Sequence, residues 1–276
     1  MISAFSRWSP PHLLEPERLP PGVLHAMTSA DSPHFDFEEL FGDDYLYFYE
    51  QSFTAERNRR ETEAVWKLLE LSPGQAVLDL GCGHGRISNA LAEYGARVTG
   101  LDASVHFLDL ARKDAALRGL DVNFEQGDMR DIPWNGTFDA ALIWFTTFGY
   151  FSDADNVGVV QQVAKALKPH GRLLIEQINR VALLRSGQPS NSVVSRGDDL
   201  MIDRIDYDGL TDRSITERIV VRAGHVKRAK FTVRLYSPAE FSSLMRGAGF
   251  RSCDVFGQDG EPYTLYSRRL IVVGIK

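Results

Sequence analysis

Val77-Leu78-Asp79-Leu80-Gly81-Cys82-Gly83-His84-Gly85-Arg86 decides how this chain folds. The stretch predicts a buried strand that breaks into a glycine-rich turn and then enters a helix. Val77, Leu78 and Leu80 are apolar and β-favouring, as in a strand covered on both faces. Gly81, Gly83 and Gly85 let the backbone turn sharply and approach a ligand, with no Cβ in the way. Ile87, Ala90 and Leu91 follow at helical spacing, and Gly95 supplies a C′ stop. A loop of this kind offers free backbone N–H groups at a helix N-terminus.

Outward from the loop, strands and helices alternate. Strands are expected at 76–80, 96–101, 121–126, 138–144 and 172–178. Helices are expected at 85–94, from Ser104 to near Gly119 with Phe107, Leu108 and Ala111 inward, and after Ser152. That last helix opens on a capping box, Ser152-Asp153-Ala154-Asp155, and buries Val159, Val160, Val163 and Leu167. Lys168-Pro169-His170-Gly171 is expected to be the turn into the fifth strand. Such alternation predicts a parallel, doubly wound α/β sheet. Ser237-Pro238-Ala239-Glu240 opens a further helix, closed by Gly249, and strands at 250–256 and 268–275 complete the sheet.

With 276 residues, 43% hydrophobic and 25% charged, the composition is that of a globular protein. A net charge of −6 argues against a protein whose main task is to grip a phosphate backbone. No apolar run approaches the roughly 20 residues of a membrane span, and no secretory signal pattern stands at the N-terminus. Two cysteines, Cys82 and Cys253, fit a reducing cytoplasm and show no metal-ligand spacing.

The flanks differ from the core. Residues 1–34 contain Pro10, Pro11, Pro16, Pro20, Pro21 and Pro33 and lack apolar periodicity, which predicts a flexible leader. Residues 35–70 form a second segment. Its first part holds Phe35, Phe37, Phe41, Tyr45, Tyr47, Phe48, Tyr49 and Phe53, which suit either a hydrophobic helix or an aromatic lid over a ligand. A helix from Thr54 to Leu71 follows, with Val65, Leu68 and Leu69 inward. Residues 181–235 interrupt the α/β core of 71–180 and 236–276. Within them 213–222 and 230–236 alternate as an antiparallel hairpin, with a third strand at 200–207, and form a small β cap.

The glycine loop is not a dinucleotide fingerprint, because its third glycine comes one residue early. It is not a phosphate loop either, since no Lys-Ser/Thr follows. Asp79-Leu80-Gly81-Cys82-Gly83-His84-Gly85 resembles motif I of the class I S-adenosylmethionine (SAM) dependent methyltransferases. The core as a whole is similar to their fold, which implies a Rossmann-like seven-stranded sheet ordered 3-2-1-4-5-7-6 with the last strand antiparallel. The resemblance places SAM against Asp79, Gly81, Cys82, Gly83 and Gly85. It implies that Asp102, with Ala103 beside it, holds the ribose hydroxyls, since a carboxylate accepts two hydrogen bonds from a vicinal diol. Gly127, Asp128 and Met129 would meet the adenine, and Tyr45 and Tyr49 of the lid would cover the cofactor. Asp79 either orients the loop or contacts the methionine amine. Each aspartate also has a plainer reading as a strand-end or turn residue.

The segment Trp144–Phe151 lacks the Asn/Asp-Pro-Pro-Tyr motif of enzymes that methylate nucleobase amines, so nucleic acid is an unlikely acceptor. It resembles small-molecule methyltransferases of bacterial secondary metabolism, which points to Tyr150 as a catalytic pocket residue beside the methyl group. Methyl transfer asks mainly for alignment and exclusion of water, with a general base only where the acceptor must lose a proton. Glu176 is the first candidate, because ligands sit at the carboxyl edge of parallel strands. The plain alternative is an ion pair with Arg268 or Arg269. His106 and His225 are further candidates that suit the surface better. Asp153-Ala154-Asp155-Asn156 is read as a helix cap, and no metal is expected. Lys227, Arg228, Lys230 and Arg234 would either hold a phosphate on the acceptor or protect an edge strand. The resulting expectation is SAM-dependent transfer to a small-molecule acceptor, at N, O or C. The rivals are an RNA or protein methyltransferase and a SAM-binding protein that transfers no methyl. Salt-dependent RNA binding would mark the former, and methyl never leaving SAM the latter. Assembly as a homo-oligomer is left open.

Overall fold

The computed structural model describes residues 40–276, so the leader 1–34 and the aromatic residues Phe35 and Phe37 lie outside the described residues. In chain order the elements begin with α1 (Asp43–Tyr49), α2 (Ala55–Leu68), β1 (Ala76–Leu80), α3 (Arg86–Glu93) and β2 (Arg97–Asp102). Next come α4 (Val105–Leu117), β3 (Asn123–Gln126), β4 (Phe138–Ile143), α5 (Asp153–Ala166), β5 (Leu167–Ile178) and α6 (Arg180–Arg185). The inserted strands β6 (Ser190–Arg196), β7 (Asp199–Asp208), β8 (Arg213–Arg222) and β9 (His225–Arg234) precede α7 (Pro238–Gly247), β10 (Ser252–Phe256) and β11 (Arg269–Ile275).

The main sheet runs β3-β2-β1-β4-β5-β11-β10. β1 pairs in parallel with both β2 and β4, whereas β11 is antiparallel to β5 and β10. This is the doubly wound order expected from the resemblance, with β11 as its seventh strand. β1 lies at the centre because Val77, Leu78 and Leu80 are fully buried. Leu78 and Leu80 pack with Val159, Val163 and Phe241 on one face, while Val77 packs with Val65, Ile87 and Leu91 on the other. Burial on both faces is what a continuous apolar strand requires.

The helix starts follow their side chains. Thr54, Ser104 and Ser152 each accept a hydrogen bond from a first-turn amide, and Ser237 with Glu240 forms the reciprocal capping box. At Ser152 the reciprocal half is missing: its hydroxyl accepts from the Asp155 amide and donates to the Asp155 carboxylate. The expected turn at Lys168–Gly171 is instead a bulge within β5, where the partner register jumps from Phe138↔Leu167 to Ala140↔Arg172. The inserted sheet has four strands in the order β6-β7-β8-β9. β6 was not expected, because Ser190–Arg196 carries no alternating apolar pattern.

Candidate active site

The glycine loop is pinned to the end of β2: the amides of Gly81 and Cys82 both donate to the Leu101 carbonyl, at 2.7 and 3.1 Å. At Gly81 φ is +68°, and a Cβ there would meet Thr147 Cγ2 at 2.2 Å. Glycine is therefore required on both conformational and spatial grounds. Asp102 receives the Gly83 amide on Oδ2 at 2.7 Å and the Ser104 amide on Oδ1 at 2.9 Å. Burial raises its carboxyl above the ordinary range despite these amides. Each oxygen keeps a lone pair for a further donor. Asp79 is more enclosed, only 2% exposed, and accepts from the Ser88 hydroxyl at 2.6 Å. Burial, followed by the neighbouring Asp102 charge, pushes it up to about 6. Asp128 lies at the rim; burial would raise it, but the Arg130 fork and amide outweigh that and hold it low.

One pocket brings together Tyr45, Asp79, Gly81, Cys82, Gly83, Asp102, Ala103, Gly127, Asp128, Met129 and Tyr150. Gly85 and Tyr49 stand outside it. Gly85 backs onto Ala111 and Phe124, and Tyr49 faces a second cavity. That cavity, about 530 Å³, adjoins the first across Phe41, Tyr45, Phe145, Thr146 and Tyr150, which line both. Its volume is in the range that holds a small molecule. Its far wall is the inner face of the inserted sheet. Gly149, at φ +108°, allows the segment after β4 to touch this sheet: a Cβ there would meet the Arg234 carbonyl at 2.4 Å.

Between the two cavities the backbone is strained. Phe145 and Thr146 have φ of +61° and +59°, which is costly for an aromatic and a β-branched residue. Glu176 explains how the turn is held. Its side chain accepts from the Thr146 amide at 3.2 Å and pairs at two points with Arg269, whose Nη2 also donates to Thr146 Oγ1 at 2.7 Å. Of the two readings of Glu176, the geometry shows the ion pair with Arg269.

Sequence reasoning missed a second charged cluster. Glu61 of α2 is buried, pairing with Arg57 and Arg86 at 2.7 Å each and accepting from Trp144 Nε1 at 3.1 Å. Arg86, at the start of α3, also lies 4.8 Å from the Phe53 ring centroid. The signal was present as the Arg57/Glu61 spacing, but such a pair usually marks a solvated helix face. His84, in the loop, packs against Phe53 and Phe107; burial, then Arg86, pushes it down to about 4.

Other candidates are drawn elsewhere. His106 meets exposed Asp43 at 2.9 Å, and His225 is exposed. Asp153 pairs with Arg213 at 2.8 Å. Most of the basic cluster is matched: Lys227 with Asp44, Arg228 with Glu217, and Arg234 with Glu240. Tyr47 turns away from both cavities. It donates to Asp199 at 2.8 Å, and its ring lies between Arg196 and Arg222. Among the described residues, no helix is long and apolar enough to cross a membrane.

A family described as "Methyltransferase domain" matches residues 77–171, the span that carries the loop, Asp102 and Asp128. The cypemycin N-terminal methyltransferase of a Streptomyces species is 34% identical over 209 residues, covering 72% of this chain and 82% of that protein. The ubiquinone biosynthesis O-methyltransferase of Actinobacillus pleuropneumoniae is 37% identical over 114 residues, 39% of this chain and 47% of its own length. Among solved structures, the SAM-bound amino pentose methyltransferase CalS10 of Micromonospora echinaspora superposes with a TM-score of 0.61 at 20% identity, covering 84% of this chain and 98% of that one. The chain belongs to the SAM-dependent methyltransferase family and is an enzyme of methyl transfer. The pocket suits SAM on its own terms. Asp79 is a buried carboxylate with one neutral partner, Asp102 offers two spare lone pairs, and the glycine loop leaves room beside them.

Proposed function

We propose that this protein methylates an amine nitrogen of a small acceptor held in the cavity between the main sheet and the inserted sheet, which acts as a cap. One observation carries this reading. Every carboxylate lining that cavity is matched by an arginine: Glu61 by Arg57 and Arg86, Glu176 by Arg269, Asp203 by Arg218 and Asp259 by Arg60. No histidine lines it among the described residues. An aliphatic alcohol needs a base to become a nucleophile, whereas the neutral form of an amine carries its own lone pair. The similarity to an N-terminal methyltransferase over most of its length supports nitrogen as well.

Bound SAM supplies an electrophilic methyl group to a nucleophile aligned opposite its sulfur. The chain contributes binding, alignment and dryness. Asp102 takes the ribose hydroxyls, Asp79 the α-ammonium, Arg86 the carboxylate, and Gly127, Asp128 and Met129 the adenine. Tyr45 and Tyr150 stand at the junction of the cavities. Burial pushes both hydroxyls up, so they remain protonated and present neutral oxygens to the sulfonium. Glu176 acts as a positioning residue that fixes the Phe145-Thr146 turn. α1, through Tyr45 and Tyr49, and the inserted sheet both line the acceptor cavity. A cytoplasmic role in secondary metabolism agrees with the two free cysteines and with the Streptomyces relative.

The test is to incubate the protein with methyl-labelled SAM and small amines or an extract of the producing organism, and to locate the label by mass spectrometry. An N-methyl product is expected, with kcat/KM rising with pH toward the acceptor's own pKa. Label on oxygen or carbon alone would overturn the amine reading.

Asp79 gives a separate pH prediction. Its carboxyl is raised to about 6 in the protein, and pairing with an ammonium would lower it again. SAM affinity is therefore expected to rise by up to tenfold per pH unit below about 6 and to level off above it. The protein without SAM goes the other way. A raised carboxyl stabilises below its unfolded value and loses that contribution as pH climbs through 6, so Asp79→Asn is expected to melt higher at pH 7.5. Calorimetric titration from pH 5 to 8 reads the first effect and thermal melts the second. A flat SAM affinity across that range would leave Asp79 as a loop-orienting residue only.

A further inference from the structure

The cavity-facing side of the inserted sheet is more polar than its packing requires. In register, Asp203 stands between Ser192 and Arg218, Thr216 between Ile205 and Phe231, and Ser214 beside Val233. All line the larger cavity. Arg218 and Asp203 form a two-point pair at 2.8 Å with side chains only 9% and 12% exposed. Such a pair adds little stability over apolar residues of similar size, and Met201 and Val220 in the next row show that this sheet buries apolar side chains readily. The hydroxyls of Ser192, Ser214 and Thr216 and the Nη1 group of Arg218 make no hydrogen bond with any described residue. Polar groups on a half-closed wall are normally satisfied by a ligand or by water.

We propose that Ser214, Thr216 and Arg218 determine acceptor specificity by hydrogen bonding to hydroxyl or carbonyl oxygens of the acceptor remote from the reacting atom. Asp203 fixes the guanidinium so that Nη1 faces the cavity. The hydroxyls accept or donate, Nη1 donates, and Phe231 and Val233 cover the acceptor's apolar edges. Purely apolar amines are thereby disfavoured, since they leave these groups unpaired. This inference rests on the reading of the cavity as the acceptor site.

A matched series separates the two ideas: cyclohexylamine, 2-aminocyclohexanol and 4-aminocyclohexanol share one amine and differ in the hydroxyl. Wild-type protein is expected to favour at least one aminocyclohexanol over cyclohexylamine by about tenfold or more in kcat/KM. The double variant Ser214→Ala/Thr216→Val keeps β-compatible residues. It is expected to raise KM for that alcohol by about tenfold while moving KM for cyclohexylamine less than twofold and leaving SAM affinity unchanged. Calorimetric binding to the S-adenosylhomocysteine-loaded protein reads the same differences without turnover. Absence of any preference, failure of either alcohol to bind, or an equal shift for all three amines in the variant overturns the inference. A product methylated on oxygen sinks the amine reading, and the change in KM between variant and wild type still decides the present one.

Discussion

Asp102→Ala is expected to weaken SAM binding by 100-fold or more in calorimetry. The carboxylate sits at the carboxyl end of β2, where the strand register brings it beside the glycine loop. Two charge-assisted hydrogen bonds to a diol are worth about 1.5–3 kcal/mol each, and about 1.4 kcal/mol is tenfold in affinity. The substitution has a second effect, because the Gly83 and Ser104 amides lose their acceptor. Loop position and ligand contact therefore fail together. Asp102→Asn keeps an acceptor for one amide and one hydroxyl, so an intermediate loss of affinity is expected. If Asp102→Ala binds SAM as tightly as wild type, the cofactor does not lie across β2 as placed here.

The parts of the site that the sequence made legible are those set by local rules. The glycine loop follows the apolar run of β1, and Asp102 and Asp128 stand where the short mixed strands β2 and β3 give way to turns. β6 was hidden because Ser190–Arg196 is an edge strand, largely exposed, whose conformation comes from pairing with β7 rather than from its own pattern. Lys168–Gly171 reads as a turn because Pro and Gly suit a turn and a bulge equally well. The aromatic segment gave away its content but not its directions. Tyr45, Tyr47 and Tyr49 lie within one short helix, and only tertiary packing sends Tyr45 to the first pocket, Tyr49 to the second and Tyr47 to Asp199. Glu176 was ambiguous for a related reason. Which arginine reaches it depends on the pairing of β11 with β5, which sets Glu176 opposite Ile271 and two residues from Ile178, the partner of Arg269.

Glu61→Ala is expected to cost about 3–5 kcal/mol of stability, because it takes the carboxylate away from the buried Arg86 guanidinium and a buried indole N–H, and from the partly exposed Arg57. From sequence alone, Arg57 and Glu61 form an ordinary i,i+4 pair, worth about 0.3–0.5 kcal/mol on a solvated helix. The structure changes that figure by an order of magnitude: both the Glu61 and Arg86 side chains are less than a tenth exposed. The acid dependence follows. Burial alone would raise the Glu61 carboxyl, but Arg86 and then Arg57 outweigh it and hold it below the usual carboxylate range. A depressed carboxyl contributes stability above its unfolded value and loses it as pH falls through its folded one. Wild-type melting temperature should therefore fall with acidification below about pH 4.5 in part through Glu61, and that part should vanish in the variant. At pH 7 the melting temperature of Glu61→Ala is expected to drop by on the order of 10 °C. Glu61→Gln retains an acceptor for Trp144 and should fall between the two. Because Arg86 sits in the wall of the SAM pocket, its release should also weaken SAM binding in Glu61→Ala, coupling α2 to the glycine loop. A drop of only 1–2 °C, with SAM affinity intact, would mean that the cluster is a helix-surface pair after all and that α2 merely covers the site without holding it.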